Sequence, residues 1–234
     1  MIDVPRLRAA LDEARERIDD ACRASGRAAG SAELVLAGKY VPAHEAPALV
    51  EAGAGVIGEN RLQDLVAKQQ ALGGDDAVTF DFIGHLQGRK VKDVLPRVRL
   101  IHSVDRESLI EEIGRRAEHP ARVLLQVNLA GEESKGGFAP DELDAAVARA
   151  SQAGIVVGGL MALPPFTDDP EASRPWFERL RALRDGLAGR WSPDHDLRDL
   201  SMGTSQDFVV AVEAGATMVR VGRGIVDPTR MEQP

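Results

Sequence analysis

The sequence predicts a (β/α)8 barrel, on three observations. Eight short apolar runs of strand character recur along the chain, and a helical segment separates each consecutive pair. Eight such units in 234 residues match the size of this barrel, roughly 250 residues. An extra amphipathic segment precedes the first run, placed to fill the outer ring where no helix is expected after the eighth strand. A doubly wound open sheet is the alternative. It usually needs fewer strands and a switch point, and no GxGxxG follows the first strand. No Pro/Gly/Ser-rich linker interrupts the chain, so residues 1–234 are expected to form one domain.

Taken in order, Pro5–Ser25 reads as a helix, with Leu7, Leu11, Ala14, Ile18 and Cys22 on one face, Asp3 as its cap and Gly26 as its stop. Leu34–Val41 (LVLAGKYV) is the first strand and carries a single charge, Lys39. Helix Ala43–Ala52 leads to strand Val56–Asn60, and helix Asn60–Leu72 to strand Thr79–Gly84. A short helix, Gly88–Leu95, precedes strand Leu100–Asp105, and helix Arg106–Glu118 precedes strand Arg122–Asn128. Helix Pro140–Ala153, strand Ile155–Leu163, helix Trp176–Leu187 and strand Leu197–Met202 follow. Helix Asp207–Ala214 and strand Met218–Val226 close the series.

Composition narrows the function. A net charge of −8 excludes the broad basic surface of a general nucleic-acid binder but leaves room for a local anion pocket. One cysteine, Cys22, permits no intramolecular disulfide and fits a reducing compartment. The charged N-terminus does not read as a signal peptide, and no apolar run has membrane-spanning length. A cytoplasmic protein is expected. The histidines, His44, His85, His102, His119 and His195, show no metal-ligand spacing, so no metal is expected.

The chemistry is expected at the C-terminal ends of the strands, where barrel active sites lie. Lys39, at the end of a buried strand, is either half of a structural ion pair or a nucleophilic amine that forms a Schiff base with a carbonyl compound. The other strand ends add Asn60, Gly84, His85, His102, Asn128, Ser134, Lys135 and Met161. The SMGTSQD stretch after strand seven and VRVGRG at strand eight combine small hydroxyls with glycines where such barrels bind phosphate. The alternative there is a capped helix and a flexible tail. Arg220, between Val219 and Val221, is expected to point inward and to pair with Glu59 or Asp199 or to donate to a ligand. An imine-forming lysine, a phosphate cradle and an inward arginine together suit pyridoxal 5'-phosphate.

The motifs GKYVP (38–42), GEN (58–60), FIGHLQ (82–87), HSVD (102–105), QVN (126–128), SKGG (134–137), GLMALP (159–164), SMGTSQDF (201–208) and VRVGRGI (219–225) occur in order along the chain. Together they make it resemble the pyridoxal-phosphate homeostasis protein family (YggS/PROSC), whose barrel is similar to the N-terminal domain of alanine racemase. The resemblance implies that Lys39 holds the cofactor as an internal aldimine and that Asn60 lies beside it. It implies that Ser201, Gly203 and Thr204, with the backbone of Gly222 and Arg223, cradle the phosphate. Arg220 would face the pyridine nitrogen and Met161 would line the ring's surroundings. The chain departs from the family's pattern at Gly38, Gly88, Thr204 and the GRGIVDP ending.

The same resemblance implies a carrier that supplies the cofactor, with apo-enzymes that use it as recipients, and a monomer. The racemases it resembles use a tyrosine from a second domain, and this chain is expected to end after its eighth strand. Its one tyrosine, Tyr40, is expected to alternate away from the interior, so no catalytic residue is assigned. The alternatives are an amino-acid racemase-like enzyme and a cofactor-free Schiff-base aldolase-type barrel.

Overall fold

A computed structural model describes residues 2–74, 78–132 and 135–226. Ser134, and Asp227 and Pro228 of the GRGIVDP ending, lie outside these residues. Helix α1 (Val4–Ala24) comes first. Then come β1 (Glu33–Ala37), α2 (Ala46–Glu51), β2 (Val56–Glu59), α3 (Leu62–Leu72), β3 (Thr79–Phe82), α4 (Val91–Val94) and β4 (Leu100–Val104). The second half runs α5 (Glu107–Arg116), β5 (Arg122–Val127), α6 (Leu143–Gln152), β6 (Val156–Ala162), α7 (Arg174–Trp191), β7 (Asp199–Thr204), α8 (Phe208–Glu213), β8 (Met218–Val221) and α9 (Arg223–Val226). Every strand pairs in parallel with the next, and β8 pairs with β1 to close the barrel. The expected (β/α)8 barrel with an extra N-terminal helix is therefore what forms.

Two apolar layers result from the two-residue period of the strands. Val35, Val56, Leu100, Leu124, Met161 and Met218 pack inside the barrel. Leu36, Ile57, Phe82, Ile101, Leu125, Leu160, Leu200 and Val219 face outward and join the apolar faces of the helices. Helix α1 starts on Asp3, whose carboxylate accepts the Arg6 amide at 3.0 Å. Its buried stripe of Leu7, Leu11, Ala14, Ile18 and Cys22 packs on α8, α9 and α2, which seals the outer ring.

Three expectations change. β1 stops at Ala37, and Gly38–Tyr40 forms a 3-10 turn in which the Val41 amide donates to the Gly38 carbonyl at 2.9 Å. The reason is lateral: β1 pairs with β8 only as far as Leu36 and with β2 only as far as Ala37. Strand alternation therefore does not orient Lys39 or Tyr40. β8 likewise ends at Val221, and a short helix, α9, follows it where none was expected. Finally, the segments around α2, α4 and α6 begin as 3-10 turns, at Ala43–Glu45, Gly88–Lys90 and Pro140–Glu142, and tighten into shorter α-helices.

Candidate functional site

A cleft of about 430 Å³ opens at the C-terminal rim. Lys39, Tyr40, Asn60, Thr204, Arg220, Gly222 and Arg223 line it, together with Ser205, Gln206, Ile83 and Phe166. Six of the nine expected binding residues thus line the same cleft: Lys39, Asn60, Thr204, Arg220, Gly222 and Arg223. Met161, Ser201 and Gly203 are not part of its lining.

The turn at Gly38–Tyr40 lifts Lys39 out of the barrel, so its side chain is exposed rather than buried. Among the described residues Lys39 forms no ion pair; its Nζ lies 4.9 Å from the centre of the Tyr40 ring. The structural ion-pair reading therefore fails. The Tyr40 ring, 47% exposed, is flanked on its other contact by the Arg223 guanidinium, 5.9 Å from the ring centre. Tyr40 is thus in the cleft, not turned away from it. Gly38 is forced to be small, because a Cβ there would stand 2.4 Å from the Glu59 carboxylate.

Glu59, on β2, is fully buried and pairs with Lys68 of α3 at 2.7 Å. Burial pushes the Glu59 carboxyl up, and Lys68 offsets only part of that. The next residue, Asn60, has a buried Oδ1 with no hydrogen-bond partner among the described residues, beside the cleft. A buried acceptor without a donor costs about 1–3 kcal/mol, so its position is explained if a ligand or water donates to it.

The loops after β7 and β8 are tied together: the Gly222 amide donates to Ser205 Oγ at 3.1 Å. The Thr204 amide and hydroxyl both donate to Asp207 Oδ1, at 2.7 and 3.2 Å. Gly203 has φ +90°, and a Cβ there would meet Ala211 at 2.5 Å, so it serves close packing of β7 on α8. Ser205 and Gln206, which the binding assignment left out, do reach the cleft. They sit inside the SMGTSQD motif, and a strand that runs to Thr204 rather than Met202 moves the exposed part of that motif two residues on.

Arg220 reaches the floor of the cleft from inside the barrel and is 6% exposed. It meets neither Glu59 nor Asp199: Asp199 pairs with Arg122 at 2.6 Å. Its Nη2 donates to the Ala162 carbonyl at 3.0 Å, and its Nη1 donates to Ser201 Oγ. Burial without a carboxylate in contact pulls the guanidinium down to about 10, against weak support from Asp207. Beneath it the polar contacts continue. Ser201 Oγ is 2.8 Å from His102 Nδ1, and His102 Nε2 is 3.1 Å from Asp81 Oδ2. Asp81 also accepts from Arg99, which bridges to Glu33 at the opposite rim. Met161 is 1% exposed and belongs to the inner apolar layer below the cleft.

Three cations, Lys39, Arg220 and Arg223, therefore face a cleft whose lining contains no carboxylate among the described residues. Such a site suits an anion that also carries a group reactive toward an amine. Among the described residues no cluster of three or more His, Cys, Asp or Glu can hold a metal ion. No helix among them is long and apolar enough to cross a membrane.

Residues 9–227 match the family described as alanine racemase, N-terminal domain. The chain is 42% identical over 216 residues to the pyridoxal phosphate homeostasis protein of Aquifex aeolicus, covering 91% of this chain and 93% of that protein. An unknown protein from Bifidobacterium adolescentis superposes with a TM-score of 0.85 at 34% identity, over 96% of this chain and 97% of the other. PipY of Synechococcus elongatus, solved with PLP bound, superposes with a TM-score of 0.77 at 32% identity, over 84% and 92% of the two chains.

Proposed function

This chain belongs to the pyridoxal phosphate homeostasis proteins, a family on the alanine racemase N-terminal barrel, and on that premise we propose that its cleft holds pyridoxal 5'-phosphate for intracellular supply. The observation that carries the proposal is Lys39: an amine free of any ion pair among the described residues, at the mouth of a cleft that also holds two arginines. When bound, pyridoxal phosphate brings an aldehyde that condenses with a primary amine, a phosphate dianion and a ring nitrogen. Lys39 supplies the amine. Gly222, Ser205, Gln206 and Arg223 would take the phosphate; a side chain at Gly222 would crowd Ala37 at 3.1 Å and close the approach. Arg220 would donate to the ring nitrogen, and Asn60 Oδ1 would accept from the bound group.

The residues fit holding better than turnover. Among the described residues, the titratable group lining the cleft beyond Lys39 and the arginines is Tyr40; neither a carboxylate nor an imidazole is among them to act as a second base. Lys39 and Tyr40 are open to solvent, whereas catalysis favours water exclusion. We therefore read a non-catalytic, monomeric, cytoplasmic carrier with apo-enzymes as recipients. The Tyr40 phenol beside Lys39 is the one feature that favours a racemase-like second reading.

The test is direct. Incubated with pyridoxal phosphate, the protein gains a visible absorbance band, and borohydride fixes the added mass on the Lys39 peptide. Lys39→Ala loses both. A wild-type protein that stays colourless overturns the proposal. Incubation of the loaded protein with L-alanine yields no D-alanine on the carrier reading; sustained production of it establishes the second reading.

A further inference from the structure

The barrel interior holds a line of polar side chains in a space that apolar residues otherwise fill. Glu33 and Arg99, both partly exposed, stand at the rim opposite the cleft. Asp81, His102 and Ser201 are buried with 0% exposure, and Arg220 ends the line at the cleft floor. Replacing such a set by apolar residues is often neutral or stabilising, so stability does not account for it.

With His102 neutral, the line has one consistent proton arrangement. A carboxylate only accepts, so His102 Nε2–H donates to Asp81 Oδ2 at 3.1 Å. The neutral imidazole then presents a bare Nδ1, which accepts the Ser201 hydroxyl at 2.8 Å. With its proton committed downward, Ser201 Oγ can only accept from Arg220 Nη1. The Ala162 carbonyl takes Nη2 at 3.0 Å. Two fixed acceptors hold the plane of the guanidinium and leave its other N–H groups for the cleft. The inverse arrangement, a neutral ring with its proton on Nδ1, would set a bare Nε2 against the Asp81 carboxylate, two acceptors 3.1 Å apart with no proton between them.

We propose that His102 and Ser201, anchored by Asp81, Arg99 and Glu33, are positioning residues that aim Arg220 at the ring nitrogen of the bound cofactor. The inference rests on the reading that the cleft holds pyridoxal phosphate. It adds that recognition of the ring is set from below the cleft, by residues that never touch the ligand.

The experiment compares two ligands: pyridoxal phosphate and its 1-deaza analogue, which keeps aldehyde and phosphate but lacks the ring nitrogen. Ser201→Ala and His102→Leu are expected to weaken pyridoxal phosphate roughly tenfold, the size of one hydrogen bond to a charged group. The same variants leave the analogue's affinity within about twofold, since only the arginine contact is lost. The double variant loses no more than either single one. His102→Gln, which keeps a donor and an acceptor, restores most of the discrimination. Equal losses for both ligands, or no loss for either, overturn the positioning role while leaving the cofactor reading intact. Wild-type protein that binds neither ligand overturns both. In unliganded wild type at about pH 8, nitrogen NMR reads the Nε2-protonated neutral tautomer of His102. An Nδ1-protonated ring overturns the arrangement even if the variants fail to fold.

Discussion

At the residue scale, position and chemistry separate. Lys39 was legible as a candidate reactive amine because a lone charge in LVLAGKYV has few explanations. Its exposure was not, because the turn that lifts it depends on where β1 runs out of partners on β2 and β8. Ser201 shows the same limit: its place in a hydroxyl-rich motif suggested a phosphate contact, yet the hydroxyl is spent between His102 and Arg220. Gly84 gives a prediction here. A Cβ at Gly84 would lie 2.3 Å from the Asn60 carbonyl, where backbone meets backbone. Gly84→Ala is expected to destabilise the fold by about 1–3 kcal/mol, as overpacking does, and to displace Asn60. Urea unfolding and cofactor titration read the two effects separately.

At the element scale, the helices and strands followed from apolar periodicity, while their ends followed from contacts distant in sequence. α1 was readable whole, from its Asp3 cap to its five-residue stripe. The β2–α3 unit was not: periodicity placed a helix after Asn60 but gave no sign that Lys68 turns inward to meet Glu59. That pair anchors α3 directly beneath the Lys39 turn. Lys68→Met strands a buried carboxylate and is expected to cost about 3–5 kcal/mol. Adding Glu59→Gln is expected to recover most of it, as a thermal unfolding series on the single and double variants would show. A double variant as unstable as Lys68→Met alone would assign the loss to packing.

At the scale of the whole molecule, the barrel was the most legible feature, since eight alternations leave few topologies open. The polar line through its centre was illegible, because its members are scattered over β1, β3, β4, β7, β8 and the residue before β4. It contributes to the response to pH. Burial holds His102 and His195 below the ordinary histidine value. The unfolded chain thus binds protons below about pH 6.5 that the native chain refuses, and stability falls as pH drops through that point. Burial raises Asp81, but hydrogen bonds from His102 and Arg99 more than reverse this and leave it low. Its contribution is present above about pH 3.9 and is lost on further acidification. Glu59, raised, acts in the opposite sense above about pH 4.3. The net expectation is a loss of stability between about pH 7 and about pH 5, with a limiting slope of about 1.4 kcal/mol per pH unit for each histidine. Urea midpoints across that range check it, and His195→Asn is expected to flatten the slope.

The seal formed by α1 has one more consequence. The chain's only thiol, Cys22, lies on the buried stripe of that helix with 0% exposure. A thiol reagent therefore meets no target until α1 swings off its neighbours, which makes Cys22 a clock for that excursion. Asp3→Ala removes the cap and about 1 kcal/mol of helix stability, so labelling is expected to run roughly fivefold faster if α1 leaves as a unit. An unchanged rate would mean that the thiol is uncovered only when the entire barrel comes apart.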